Sequence, residues 1–304
     1  MGIKLNAVHL LSTTIPHLAD LSDRKILTFG VQDCYFTYDQ LVNFLRRHNI
    51  AHRAVSQDKI RLSVASTHVT AANRRYYPDF ERHVHQNTLF ETLGASPDNI
   101  HSMDASSHEG ADIIHDLNEP VDVARHCTYD LIFDGGTIEH VFSIKDALYN
   151  TANMCRVGGI VVHFAPVDLI NHGFVNVNAE LFQDFYSSNG FEELTSKYVL
   201  MPIHPWRADD HYLEYQPDKL WITMRPYYHM GLYSAYRKVE HRGLTVPQQG
   251  TYRRSWSGES DVPERNGLPA RMRQWLVDWI DTHLVAATLV RWGRVLRRGK
   301  KIVL

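Results

Sequence analysis

The chain has 304 residues, with 44% hydrophobic and 22% charged side chains and a formal charge of −2 from 32 basic against 34 acidic residues. That composition is ordinary for a globular protein and excludes a mostly disordered or collagen-like chain. At about 150 residues per domain, the length predicts two domains or one large α/β domain with additions. The balance lacks the basic excess of a protein that grips a long nucleic acid, so no nucleic-acid partner is expected.

From the N-terminus, residues 1–21 hold no apolar core of signal-peptide length. The longest apolar stretch, residues 160–170, is broken by His163, Pro166 and Asp168, well short of the roughly 20 residues that span a bilayer. Cys34, Cys127 and Cys155 are odd in number and widely spaced, forming neither a disulfide framework nor a CxxC zinc site. A cytoplasmic protein is therefore expected.

Residues 24–30 form a short apolar run ending in Gly30, the pattern of a buried strand. Thr37 with Gln40 fits a capping box for a helix carrying Leu41, Phe44 and Leu45 on one face. Residues 46–80 are rich in Arg, His, Ser and Thr without a sustained period and read as an insertion or lid. Residues 86–93 read as a helix closed by Gly94. Residues 100–106 read as a strand ending at Asp104, 111–117 as one ending at Asp116, and 129–134 as one ending at Asp134 before Gly135-Gly136. Ser143 and Asp146 can cap a helix running to Met154, and residues 160–165 form a further strand. Asn178 caps a helix over 179–187, and 198–201 and 220–224 are candidate later strands. Strands of continuous apolar residues alternating with helices predict a Rossmann-like α/β fold, doubly wound, with a mostly parallel seven-stranded sheet covered on both faces.

In this reading residues 1–239 are the Rossmann-like domain, 240–268 a linker rich in Gly, Pro, Ser and Gln, and 269–304 a C-terminal amphipathic helix. The segment 291–301 carries six basic residues and no acid, which leaves the remainder eight units negative. Trp275, Trp279 and Trp292 lie on the apolar face of that helix. It either docks on the domain or makes a peripheral membrane contact through residues 270–301.

Phosphate-loop, G-x-G-x-x-G, G-x-S-x-G and HExxH motifs are absent. His48 with His52, and His83 with His85, each lack a third ligand, so no metal site is expected. Asp104, Asp116 and Asp134 are placed alike, at the carboxyl ends of three strands, where an open parallel sheet forms its ligand crevice. A carboxylate there can accept hydrogen bonds from ribose hydroxyls or an adenine amino group, or it can merely cap a turn.

The run from Tyr129 through Asp130, Asp134, Ile138, Glu139, His140 and Val141, followed by Ala147-Leu148 and by Gly158-Gly159 before a strand, resembles the class I S-adenosylmethionine-dependent methyltransferases. Val157 stands where that family usually has Pro. The resemblance covers roughly residues 24–200. It implies that Asp104 binds the ribose hydroxyls and Asp116 faces the adenine. Asp134 and Gly135 would lie near the methionine end, and the loop holding Gly30 and Gln32 would pass beneath the cofactor. The family's first motif is glycine-rich, and here only Gly30 remains. Either the loop is rebuilt with Gln32 making a side-chain contact, or the cofactor site has been lost.

His140, after the fourth strand, and His172, after the fifth, are candidate catalytic bases, because imidazole titrates near working pH. The segment from Asn171 to Phe182 resembles a subset of these enzymes associated with surface glycans and secondary metabolites. The acceptor expected is therefore a small molecule or glycan. A non-catalytic binding or scaffold relative and another Rossmann-type nucleotide-using enzyme remain as alternatives, and oligomeric state is undetermined.

Overall fold

The computed structural model describes residues 2–15, 21–63, 79–169, 171–202, 210–215 and 228–257. The expected strand at 220–224, the C-terminal helix at 269–304, residues 64–78 of the insertion and most of the later half of the linker lie outside them. The described residues up to 256 form one compact unit.

In chain order the elements are α1 (Leu5–Thr14), β1 (Ile26–Phe29), β2 (Asp33–Thr37), α2 (Tyr38–Arg47), β3 (His83–His85), α3 (Gln86–Thr92), β4 (Ile100–Asp104), β5 (Ile113–Ile114) and β6 (Tyr129–Asp134). They continue with α4 (Ile144–Met154), β7 (Cys155–Pro166), α5 (Ala179–Ser188), β8 (Phe191–Pro202), β9 (His211–Glu214), β10 (Tyr228–Lys238) and α6 (Gly250–Ser257).

One sheet has the order β5-β4-β1-β6-β7-β10-β8-β9, and β2 pairs with β3 in a second, two-stranded sheet. The pairs from β5 to β7 are parallel, and those from β7 to β9 are antiparallel. The sheet is the expected Rossmann-like one with eight strands rather than seven, because the four-residue β9 adds an edge. After β1 the chain builds outward through β4 and β5, then returns to lay β6 on the other side. The strand order thus reverses at β1, the switch point where such sheets open a crevice.

Alternation along the central strands feeds two cores. Leu131, Phe133, Ile160, Val162 and Phe164 pack on one face with α1, α2 and α3. Leu27, Phe29, Ile132 and Val161 pack on the other with α4 and α5. This two-sided burial explains why these strands are continuous apolar runs. Thr37 forms the expected capping box, with both reciprocal bonds to Gln40 made.

Several elements differ from expectation. The strand ending at Asp116 is only the two-residue β5, and β7 begins five residues early, at Cys155, through a register shift beside Gly158-Gly159. Within the expected linker, residues 250–257 form α6, held to α5 by Asp184 Oδ2 accepting from Gly250 N at 2.7 Å and by Glu180 accepting from Gln249 and Thr251. In the expected insertion, residues 50–63 run beside α3 and β3, with Arg53 N donating to Thr92 O and Ser63 N to His83 O. Among the described residues no helix is long and apolar enough to cross a membrane.

Candidate functional site

At the switch point β1 ends in Gly30, whose backbone takes the left-handed conformation at φ +70° while its N–H donates to Met103 O on β4. A Cβ at this position would stand 3.2 Å from Thr137 Oγ1 and 3.7 Å from Asp104 Oδ2. Glycine therefore keeps the backbone low just where the carboxylate of Asp104 rises from the end of β4. Asp104 is half-buried, and its Oδ1 accepts from Ser106 N at 2.9 Å. Its Oδ2 accepts no hydrogen bond among the described residues.

Gln32 replaces the missing glycines and is buried. Its N–H donates to Gln86 Oε1 at 2.6 Å, and its amide Nε2 donates to Phe29 O. The same Nε2 lies 3.4 Å from Thr137 Oγ1, which in turn donates to Phe29 O. A Cβ on Gly135 would fall 2.2 Å from Gln32 Oε1. The loop is thus rebuilt around Gln32, whose side chain bonds to protein and packs over Gly135. Asp104 and Gly30 suit the ribose end of a nucleoside. At Gly135 the expected open backbone is covered by an amide.

The other two strand-end aspartates are engaged locally. Asp134 is fully buried, with Oδ1 accepting from Thr137 N at 2.9 Å and Ile138 N at 3.2 Å. Its Oδ2 pairs with His163 Nδ1 at 2.8 Å, and His163 Nε2 meets Tyr186 Oη at 2.7 Å. The register of β6 against β7 sets Asp134 directly beside His163. One oxygen is spent on the turn after β6 and the other on His163, so Asp134 is a positioning residue rather than a ligand contact. Asp116 is exposed, and its Oδ1 accepts from Asn118 N and Nδ2, which holds its carboxyl below the usual range. It closes a turn, as Asp commonly does.

The turn that Asp134 caps is a 3-10 turn, Ile138–His140, and it delivers a different cluster. Glu139 is fully buried and neither of its carboxylate oxygens accepts a hydrogen bond. Burial first, and Asp134 second, push its pKa up to about 7. His140 and His172, 32 residues apart, bring their Nε2 atoms to 3.2 Å. Glu139 Oε1 lies 3.4 Å from His172 Nε2 and 4.0 Å from His140 Nε2. Burial, then His140, lowers the pKa of His172.

The loop carrying His172 is tied down by Phe174 N donating to Glu139 O at 2.8 Å. Gly173 makes this possible: its φ is +77°, and a Cβ there would be 2.5 Å from Glu139 O. Two residues beyond each histidine, the exposed Phe142 and Phe174 meet edge-to-face at 5.5 Å.

The two histidines singled out in the sequence are therefore brought together. Glu139 and His163 were missed. Glu139 was legible only as part of the resemblance, and His163 only as a polar break in an apolar strand. A shallow groove of about 500 Å³, lined by His126, Tyr149, Asn153, His241 and Leu244, opens at the amino ends of β6 and β7, away from this crevice.

No family model matches the chain, and no curated protein matches it. Among solved structures it is similar to a candidate S-adenosylmethionine-dependent methyltransferase from Listeria monocytogenes, at 10% identity over 76% of this chain and 97% of that one, with a TM-score of 0.38. It is also similar to a candidate histamine N-methyltransferase, S-adenosylmethionine-dependent, from Thermotoga maritima, at 15% identity over 77% and 87%, with a TM-score of 0.34. The YcgJ protein from Bacillus subtilis is a third, at 9% identity over 77% and 99%, with a TM-score of 0.37. At such identities and scores these likenesses carry no argument about activity, and the functional reading rests on the site.

Proposed function

We propose that the chain is an S-adenosylmethionine-dependent methyltransferase acting on a small-molecule or glycan acceptor. The observation that carries this reading is the carboxylate of Asp104 beside Gly30 at the switch point, with one oxygen left to accept. S-adenosylmethionine, when bound, supplies an activated methyl group, so the protein's work is chiefly placement. Asp104 would accept from the ribose hydroxyls, Gly30 would let the backbone approach the nucleoside, and Asp116 would lie toward the adenine. The Gln32 amide would line the floor over Gly135. His172 and His140, their Nε2 atoms together at the crevice rim, would face the acceptor hydroxyl or amine.

Calorimetry with S-adenosylhomocysteine tests the reading. Micromolar binding is expected, weakened at least tenfold in Asp104→Ala, a loss of about 1.4 kcal/mol. Absence of heat and of any thermal shift with both cofactor forms would overturn it. That outcome would favour a non-catalytic binding module, a reading supported by the Gln32 side chain filling the space over Gly135. A thermal shift with a nicotinamide or sugar nucleotide instead would point to another Rossmann-type enzyme.

A further inference from the structure

We infer that Glu139, His140 and His172 form a binding site for one first-row divalent cation of the zinc class, with at least one coordination position open at the crevice rim. The inference does not depend on nucleoside binding. Three donor atoms from two segments converge here, two imidazole Nε2 atoms and one carboxylate oxygen, all within 4.8 Å of one another. An ion bound at about 2.0–2.2 Å in a tetrahedral site sets its donors about 3.3 Å apart. Two of the three donor separations, 3.2 and 3.4 Å, are already close to that edge. The third is longer, at 4.0 Å, so the His140 ring must turn toward the carboxylate to complete the set.

The site is built rather than incidental. Glu139 is a fully buried carboxylate whose oxygens have no hydrogen-bond donor, an arrangement that is costly unless something else compensates it. A cation between the three donors supplies that compensation. Rigidity comes from both sides: Asp134 caps the turn bearing Glu139 and His140, and the bond from Phe174 N to Glu139 O fixes the loop bearing His172.

The two-nitrogen, one-oxygen donor set selects Zn²⁺, Co²⁺, Fe²⁺ or Mn²⁺ over Ca²⁺ or Mg²⁺, which take oxygen ligands. The three protein ligands leave a position open, as in metal sites that act on a ligand. Glu139 is buried and the histidines are partly exposed, so that position lies on the solvent side, near Phe142 and Phe174. An acceptor with an oxygen donor and an apolar or aromatic body fits there.

The test is metal titration of the chelator-stripped full chain with ZnCl₂ and CoCl₂, read by calorimetry and by the visible absorption of Co²⁺. One ion per chain binding tighter than about 10 µM is expected, with thermal stabilisation. His140→Ala, His172→Ala and Glu139→Gln should each weaken it about a hundredfold. The half-exposed His140 provides a variant whose fold, checked by circular dichroism, should be unchanged. No binding at this affinity would overturn the inference, as would binding and a Co²⁺ spectrum indifferent to His140→Ala and to either other variant that folds.

Discussion

At the scale of single residues, the site depends on side chains that never reach the solvent. Asp134 spends both oxygens, with His163 as its side-chain partner among the described residues and two backbone N–H groups as the others. The His163 ring stacks on Phe182 at 4.2 Å while its far nitrogen meets Tyr186 Oη. Replacing His163 by Leu keeps the volume and leaves a buried carboxylate oxygen without a donor. The expected loss of unfolding free energy is about 3 kcal/mol, measured by urea denaturation. Tyr186→Phe, which removes only the outer hydroxyl, should cost about 1 kcal/mol. Equal effects of the two would contradict the chain of support proposed. Asp134 and His163 are each visible in the sequence, but their pairing is not, because it follows from the register of β6 against β7.

At the scale of elements, the helix ends show which local signals suffice. Thr37 and Gln40 form their capping box as the sequence predicts, since both partners lie within one turn. Asn178 likewise caps α5 through Leu181 N. The C-terminus of α4 is different: Cys127 N and Thr128 N take the carbonyls of Asn153 and Met154, and those of Ala152 and Cys155 are taken by Lys238, which is almost fully buried at the end of the distant β10. Lys238 Nζ donates to Ala152 O at 2.7 Å and Cys155 O at 2.8 Å, placing a cation where the helix end concentrates negative charge. Burial lowers the pKa of this lysine. Lys238→Met would leave those carbonyls unpaired, and an equilibrium destabilisation of about 2 kcal/mol is expected. No reading of residues 144–154 alone could find this cap. β10 itself escaped notice for a related reason. His229, Ser234 and Arg237 interrupt its pattern, and only insertion between β7 and β8 makes a core strand of it.

For the whole molecule, the abundance of histidine, 19 residues, becomes a statement about pH. His9, His83, His85 and His172 all have lowered pKa values, with burial the first cause in each. Below the ordinary value near 6.5 the unfolded chain takes up protons that the folded chain resists, so these groups make stability fall as pH falls through that window. Glu139 acts in the opposite sense, because its raised pKa lets the folded protein bind a proton between about 4.5 and 7. His85 isolates the histidine effect: its Nδ1 accepts from Asn87 N at the start of α3, a role Asn can fill without titrating. His85→Asn should therefore lose less stability than the parent between about pH 7.5 and 5.5 in urea denaturation. A constant difference across that range would reject the lowered value.

What the residues determined unaided was the frame. Continuous apolar runs at β1, β6 and β7 announce strands buried on both faces, and nearby caps mark α2 and α5, because each signal is complete within a few neighbours. The strand-end acids pointed to the carboxyl edge of the sheet. Only the folded chain decided how each is engaged: Asp104 keeps an oxygen beside Gly30, Asp134 turns inward to His163, and Asp116 gives one oxygen to its own turn. It alone also assembled Glu139 with His140 and His172, since a contact between side chains 32 residues apart is fixed by sheet register and a glycine-permitted close approach. Burial of charge, hydrogen-bond saturation and donor convergence are three-dimensional quantities, and no local pattern of residue types encodes them.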